Sequence, residues 1–354
     1  MFKSKTLFVV GAGASKEAGL PLGQDLKKKI ANVLDFEDYG FQGYKANDPL
    51  AHEALKFHNQ ENDNGKDLLG LHMKASKRIC KAMSSAPSID NFVNSNVGDK
   101  AVEFMSKLGI AKSILDAESG CHLKLMKDNQ PDSIDFDNLE NKAWYPELFK
   151  ILNADLPKGE ISSIFNNVSF ISFNYDRCIE HYLYGAILNY YGPAIETLNE
   201  VMKSLKVIHP YGQVGFLPWQ ENQDTISFGE NESSRKLLSA ASQIKTFSEQ
   251  VADEQKLLQI SSLLQDAEII IFIGFAFFEQ NMKLLKYKNS REYKRVYATA
   301  LGISDSNRDQ IKSKLSKHFN RIQGNLNFDN NSIEIRNDLK SKGLFEEFSR
   351  VIVS

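Results

Sequence analysis

Four apolar runs of strand length each end in a glycine or polar motif, and they follow one another along the chain in one order. Thr6-Leu-Phe-Val-Val10 leads into Gly11-Ala-Gly-Ala-Ser15, and Val168-Ser-Phe-Ile-Ser172 into Phe173-Asn-Tyr-Asp176. Lys206-Val-Ile208 leads into His209-Pro-Tyr-Gly212, and Glu268-Ile-Ile-Ile-Phe-Ile273 into Gly274-Phe-Ala276. In open α/β sheets ligands bind outside the carboxyl ends of the strands. Motifs at several such ends therefore point to one shared crevice on a parallel sheet.

The remaining pattern agrees with that architecture. Apolar spacing predicts helices over Gln24–Leu34, residues 88–128, Ala143–Leu156, Tyr175–Leu188, Leu257–Gln265, Glu279–Lys286 and Asp305–Phe319. Arg295–Leu301 and Ser332–Ile335 are further strands. Residues 35–87 are polar, with loop segments such as Asn59–Gly65. The expected fold class is α/β, a Rossmann-like parallel sheet with a large helical insertion. Residues 1–35 and 166–354 would form the nucleotide-binding domain, and 36–165 a mostly helical insertion lobe.

Bulk properties narrow the chemistry. The chain of 354 residues is 42% hydrophobic and 25% charged, with a formal charge of −2. That balance suits a soluble globular protein and gives no reason to expect nucleic acid or a membrane as a partner. Lys27-Lys28-Lys29 reads as a solvated helix face. Cys80, Cys121 and Cys178 are too few for a four-thiolate zinc site and lack C-x-x-C spacing, so no metal is expected. No apolar run reaches about 18 residues, and no apolar leader precedes the first strand. The expected location is the cytoplasm.

The glycine loop lies between a strand and a helix, where backbone N–H groups can meet a pyrophosphate. Its spacing is not that of a dehydrogenase, because Lys16 stands at the third glycine position. Nor does an acidic residue end a second strand about twenty residues on, as such enzymes require. Gly11, Ala12, Gly13, Ser15, Gly19 and Pro21 together resemble the opening motif of sirtuins. With Leu20-Pro21 and then Asp25-Leu26, the chain looks most like the prokaryotic sirtuin-like proteins of anti-phage defence. Ser88-Ile-Asp-Asn-Phe92, and Leu108–Leu115 with Glu118, are similar to the insertion of those proteins.

The resemblance assigns roles to the other motifs. Ser172-Phe-Asn-Tyr-Asp176 is similar to the segment whose asparagine and aspartate line the nicotinamide end of the NAD site. Asn174 and Asp176 are thus candidate catalytic residues, although either could simply cap the following helix. Oxocarbenium-like cleavage of a glycosidic C–N bond suits an amide oxygen or a carboxylate that can orient water and stabilise positive charge. Arg177 and Glu180 read as a surface pair. In the family a His-Gly dipeptide carries the general base. Here Tyr211 directly precedes Gly212, and His209 lies three residues before it, so His209 is the expected base and Tyr211 the alternative. An ordinary phenol, with a pKa of about 10, is a poor base at neutral pH. Gly274, Phe275 and Ala276 resemble the family's Gly-x-Ser segment with the serine lost. The cluster of Phe275, Phe277 and Phe278 reads as core.

The resemblance implies an NAD hydrolase that releases nicotinamide and ADP-ribose, with NAD as substrate. It also implies a homo-oligomer, controlled by assembly or by a HerA-type hexameric ATPase. Two other functions compete. A non-catalytic nucleotide-binding sensor or scaffold would explain Tyr211 and Ala276. A protein deacylase is disfavoured, because the cysteines for its zinc module are missing.

Overall fold

The computed structural model describes residues 1–38, 44–62, 67–124, 134–220, 225–231, 233–286, 294–319 and 332–353. Its main sheet contains β1 (Thr6–Val10), β4 (Val168–Ser172), β5 (Val207–Ile208), β6 (Ile269–Ile273), β7 (Arg295–Thr299) and β8 (Ile333–Arg336). A separate antiparallel pair, β2 (Phe36–Asp38) and β3 (Tyr44–Ala46), lies outside it. The sheet order is β5-β4-β1-β6-β7-β8, and every neighbouring pair is parallel. Counted along the sheet strands alone, that order is 3-2-1-4-5-6, the doubly wound arrangement. The chain is thus α/β with a Rossmann-like sheet, as its sequence implies.

The central strands are apolar runs because both faces of a parallel sheet are covered. Every residue of β1 and β6 is buried. Side chains alternate between two cores. Leu7 and Val9 face Ile30, Leu55 and Leu108 on one side. On the other, the Phe8 ring stacks among Trp144, Phe170 and Phe345.

The segment between β1 and β4 is mostly helical and contributes to both cores. The buried helix Lys100–Ser119 packs against Gly23–Val33, Leu68–Ala82 and Ser234–Gln243. The helix Tyr145–Leu152 packs on the opposite side, against Cys178–Tyr191 and Ser341–Ile352.

Several local expectations change. The polar stretch after residue 48 folds into two helices, Pro49–Glu61 and Leu68–Ala82, started by the Asp48 and Asp67 side chains. The span 88–128 divides into Ile89–Asn94 and Lys100–Ser119, the latter capped by Asp99; residues 125–128 lie outside the described residues. The helix expected from Tyr175 starts only at Cys178. Lys27 is not solvated: it is buried, and its ammonium donates to the Ala86 carbonyl.

Among the described residues no helix is long and apolar enough to cross a membrane.

Candidate functional site

Register levels the ends of the three central strands. Val10 is paired with both Ser172 and Ile273, so Gly11, Phe173 and Gly274 emerge side by side. This is where the strand order reverses, and a cleft of about 1220 Å³ opens there. Small-molecule pockets commonly span ~300–1,000 Å³, so the cleft has room for a dinucleotide. Its walls come from all the segments that the motifs mark, together with Ser88–Asn91 from the insertion and Lys340–Gly343 from the last helix.

The glycines are first of all a packing requirement. A Cβ on Gly11 would lie 2.5 Å from the Gly274 carbonyl oxygen, and one on Gly13 2.7 Å from Gly274 Cα. Gly274, at φ +57°, would place a Cβ 2.0 Å from the Ala14 nitrogen. The two loops also bond to each other. Gly11 N–H donates to Ile273 O and Gly13 N–H to Gly274 O, each at 3.0 Å. These two N–H groups are therefore engaged in holding the two loops together. The helix that follows, Ala12–Lys16, is a single short turn.

Ser15, Asn174 and Asp176 converge on the cleft floor. Asn174 Nδ2 donates to Ser15 Oγ at 2.9 Å. That leaves the amide oxygen Oδ1 without a bond to any described residue. The Ser15 hydroxyl also helps to hold the Asp176 carboxylate. Asp176 Oδ1 accepts the Cys178 N–H at 3.2 Å, so this residue lines the cleft and also serves the start of the helix Cys178–Tyr191. Burial pushes the Asp176 carboxyl above the usual carboxylate range, and the Cys178 and Ser15 hydrogen bonds partly offset this.

His209 does not line the cleft. Its Nδ1 donates to the Asn174 carbonyl oxygen at 2.9 Å, and its Nε2 meets Glu180 Oε1 at 2.8 Å. Burial alone would lower its pKa, but the Glu180 carboxylate, the Asn174 carbonyl and Asp176 together hold it above the ordinary histidine value. Both ring nitrogens are taken by neighbours and the ring is buried outside the cleft lining, so the expectation that His209 meets a substrate as the general base is corrected. Gly212 is also outside the lining. Its glycine is required by φ +74° and by the Gln243 carbonyl oxygen 1.9 Å from a would-be Cβ.

Tyr211 does face the cleft. Its hydroxyl donates to Asn281 Oδ1 at 2.9 Å, and burial holds its pKa well above that of a free phenol. Phe275 lines the cleft but is buried against Phe173, Phe272 and Phe277. Ala276 is exposed at the cleft, and Phe278, expected in the core, is 53% exposed at its edge.

Arg177 and Glu180 do not form a surface pair. Arg177 is fully buried and bonds to Glu118, with Nη2 to Oε2 at 2.5 Å. Sequence reasoning also left Asp90 and Tyr175 without roles. The Tyr175 hydroxyl donates to the Asp90 carboxylate, and burial raises that carboxyl. Asp90 lies in the quoted Ser88–Phe92 segment and Asn281 just beyond Gly274, so both were in view. Nothing in the sequence marks Lys340 and Lys342.

Among the described residues no cluster of histidine, cysteine, aspartate or glutamate is arranged to hold a metal ion. Comparison with protein-family models and with curated proteins finds no match to the chain.

Proposed function

We propose that the cleft binds NAD and that the protein cleaves its nicotinamide–ribose bond by hydrolysis. The observation that carries this reading is the grouping of Ser15, Asn174 and Asp176 at the switch point of the sheet, lining a cleft of dinucleotide size, with Asn174 Oδ1 unspent.

The residues suit the reaction. The C–N bond breaks with its electron pair leaving on nicotinamide, which departs neutral and leaves an oxocarbenium-like ribose. Water adds to C1′ and its proton passes to solvent, giving ADP-ribose. Asn174 Oδ1 is an acceptor that orients this water. Asp176 stabilises the positive charge in its ionised form. A neutral leaving group needs no acid, and the first step needs no base. The resemblance to sirtuin-like defence proteins extends the proposal to an NAD-depleting effector. Such an effector would act as a homo-oligomer or with a HerA-type ATPase that limits its turnover.

One observation favours a second reading. The group in the cleft nearest the expected base position is Tyr211, a phenol with a raised pKa, while His209 is closed off behind Asn174. A non-catalytic NAD-binding subunit would fit this. Incubating the purified protein with NAD, alone and with candidate partners, separates the readings. Release of nicotinamide supports hydrolysis; saturable NAD binding without release supports the binding subunit. If NAD is neither bound nor cleaved, both fail.

A further inference from the structure

The seven residues Asn174–Glu180 contribute to two buried ion pairs, Arg177 with Glu118 and Glu180 with His209, and only the second contains a histidine. Behind Asn174, away from the cleft, the imidazole of His209 bridges two acceptors. One is the main-chain carbonyl oxygen of Asn174 at 2.9 Å, and the other is Glu180 Oε1 at 2.8 Å. All three residues are buried, and the Glu180 side chain is only 3% exposed. Glu180 sits in the first turn of the helix Cys178–Tyr191, and His209 directly follows β5. The bridge therefore ties a strand end and a helix start to the peptide that carries the Asn174 amide.

We infer that Glu180 and His209 are positioning residues for the cleft, with His209 acting as a doubly donating imidazolium that fixes the Asn174 main chain and thereby aims its side-chain amide. His209 touches no reacting atom. It acts through Asn174, whose Nδ2 is anchored on Ser15 from the other side. Removing the proton from Nδ1 would set a lone pair against the Asn174 carbonyl and release the peptide. Removing it from Nε2 would set a lone pair against the carboxylate.

The charges around His209 are consistent with this. From the helix comes Glu180, and from the turn after β4 comes Asp176; both favour the protonated ring. From the helix Glu254–Asp266, the Lys256 ammonium donates to the His209 carbonyl oxygen at 3.3 Å, on the main chain and not on the ring.

The inference deepens the proposed hydrolase, and its sign separates it from the general-base role. A base works when deprotonated, so turnover limited by it rises with pH through its pKa. A positioning imidazolium works when protonated, so turnover falls as pH rises. The test is Glu180→Gln in the full-length chain, read in two ways.

The first readout is the ¹⁵N signal of the His209 ring across pH 5–9, which needs no activity. The ring should be doubly protonated in the wild type beyond neutral pH, and lose its proton at lower pH in the variant. A ring that titrates near 6.5 in both proteins overturns the inference. The second readout is NAD turnover. In the variant kcat should fall by about tenfold at pH 8 with little change in KM, and recover toward the wild-type value at pH 6. A low-pH loss of turnover whose midpoint moves down in the variant together with the His209 ring titration makes His209 a base after all. If the wild type cleaves no NAD, the hydrolase reading fails, and the ring titration alone decides the positioning couple.

Discussion

Glu118 is the residue whose change should cost this fold most for the smallest change in shape. Its carboxylate accepts from Arg177 N at 3.0 Å, Arg177 Nε at 3.2 Å, Arg177 Nη2 at 2.5 Å and Gly229 N at 3.2 Å. Both side chains are fully buried. The guanidinium has two further acceptors, the carbonyls of Ile226 and Ser227. Glu118→Gln keeps the volume and one carbonyl oxygen, but it removes the counter-charge and turns an NH₂ toward donors. Losing one partner of a buried pair costs about 3–5 kcal/mol, because the other charge stays buried. An unpaired buried N–H adds about 1–3 kcal/mol if Gly229 finds no new acceptor. In urea unfolding the midpoint should fall by on the order of 1 M or more. Arg177→Met should cost a similar amount, and the double variant should cost less than the sum of the two by about 2–3 kcal/mol. A Glu118→Gln loss under about 1 kcal/mol, or strict additivity, would sink the argument that one carboxylate holds the insertion, the Asn174–Asp176 turn and the Ile226–Gly229 loop together.

Three other expectations follow from single sites. Gly274→Ala should destabilise by about 3 kcal/mol or more in thermal unfolding, because its Cβ would meet Ala14 N at 2.0 Å with φ at +57°. Gly23→Ala has nothing within 4 Å and should be neutral or stabilising by about 0.4–1 kcal/mol; equal losses at both glycines would refute the close-approach account. Asn174→Ala should slow nicotinamide release about 10²-fold with the fold intact by circular dichroism, and undiminished release would remove Asn174 from the site. Burial lowers the His72 pKa to about 4, so its contribution is complete above about 6.5 and is lost as pH falls toward 4. The wild type should lose about 3 kcal/mol over that range and His72→Gln clearly less; parallel urea midpoints at pH 7.5, 5.5 and 4 would count against it.

What was legible in the sequence follows from where each segment sits. The strands β1, β4 and β6 are covered on both faces, so they read as unbroken apolar runs. The helix Pro49–Glu61 buries only Ala51, Ala54 and Leu55, too thin a stripe to stand out from a polar background. Ser15, Asn174 and Asp176 meet at one cleft because each follows a strand whose end the sheet register levels with its neighbours. His209 was misread because its nearness to Gly212 in sequence was visible, while its partner Glu180 lies 29 residues earlier. Arg177 and Glu180 were misread for a different reason. Arg177 precedes the helix, with φ −114° and ψ 30°, so one-turn spacing does not bring the two side chains together.

The same segment shows how to separate polar residues that build a site from those that serve it. A turn buried beneath a cleft must satisfy most of the polar groups it carries. Tyr175 spends its hydroxyl on Asp90, Arg177 its guanidinium on Glu118, and Glu180 its Oε1 on His209, while Glu180 Oε2 is buried without a partner and away from the cleft. Each of these bonds leads away to another element, and each explains why a polar side chain is tolerated there. Asn174 differs: its Nδ2 is spent on Ser15, while Oδ1, at the cleft, is not. Asp176 gives one oxygen to Cys178 N–H and still borders the same space. Unspent hydrogen-bonding capacity next to open volume is what a substrate can use. A motif rich in polar residues is therefore mostly framework, with its chemistry concentrated in the few atoms the framework leaves unpaired.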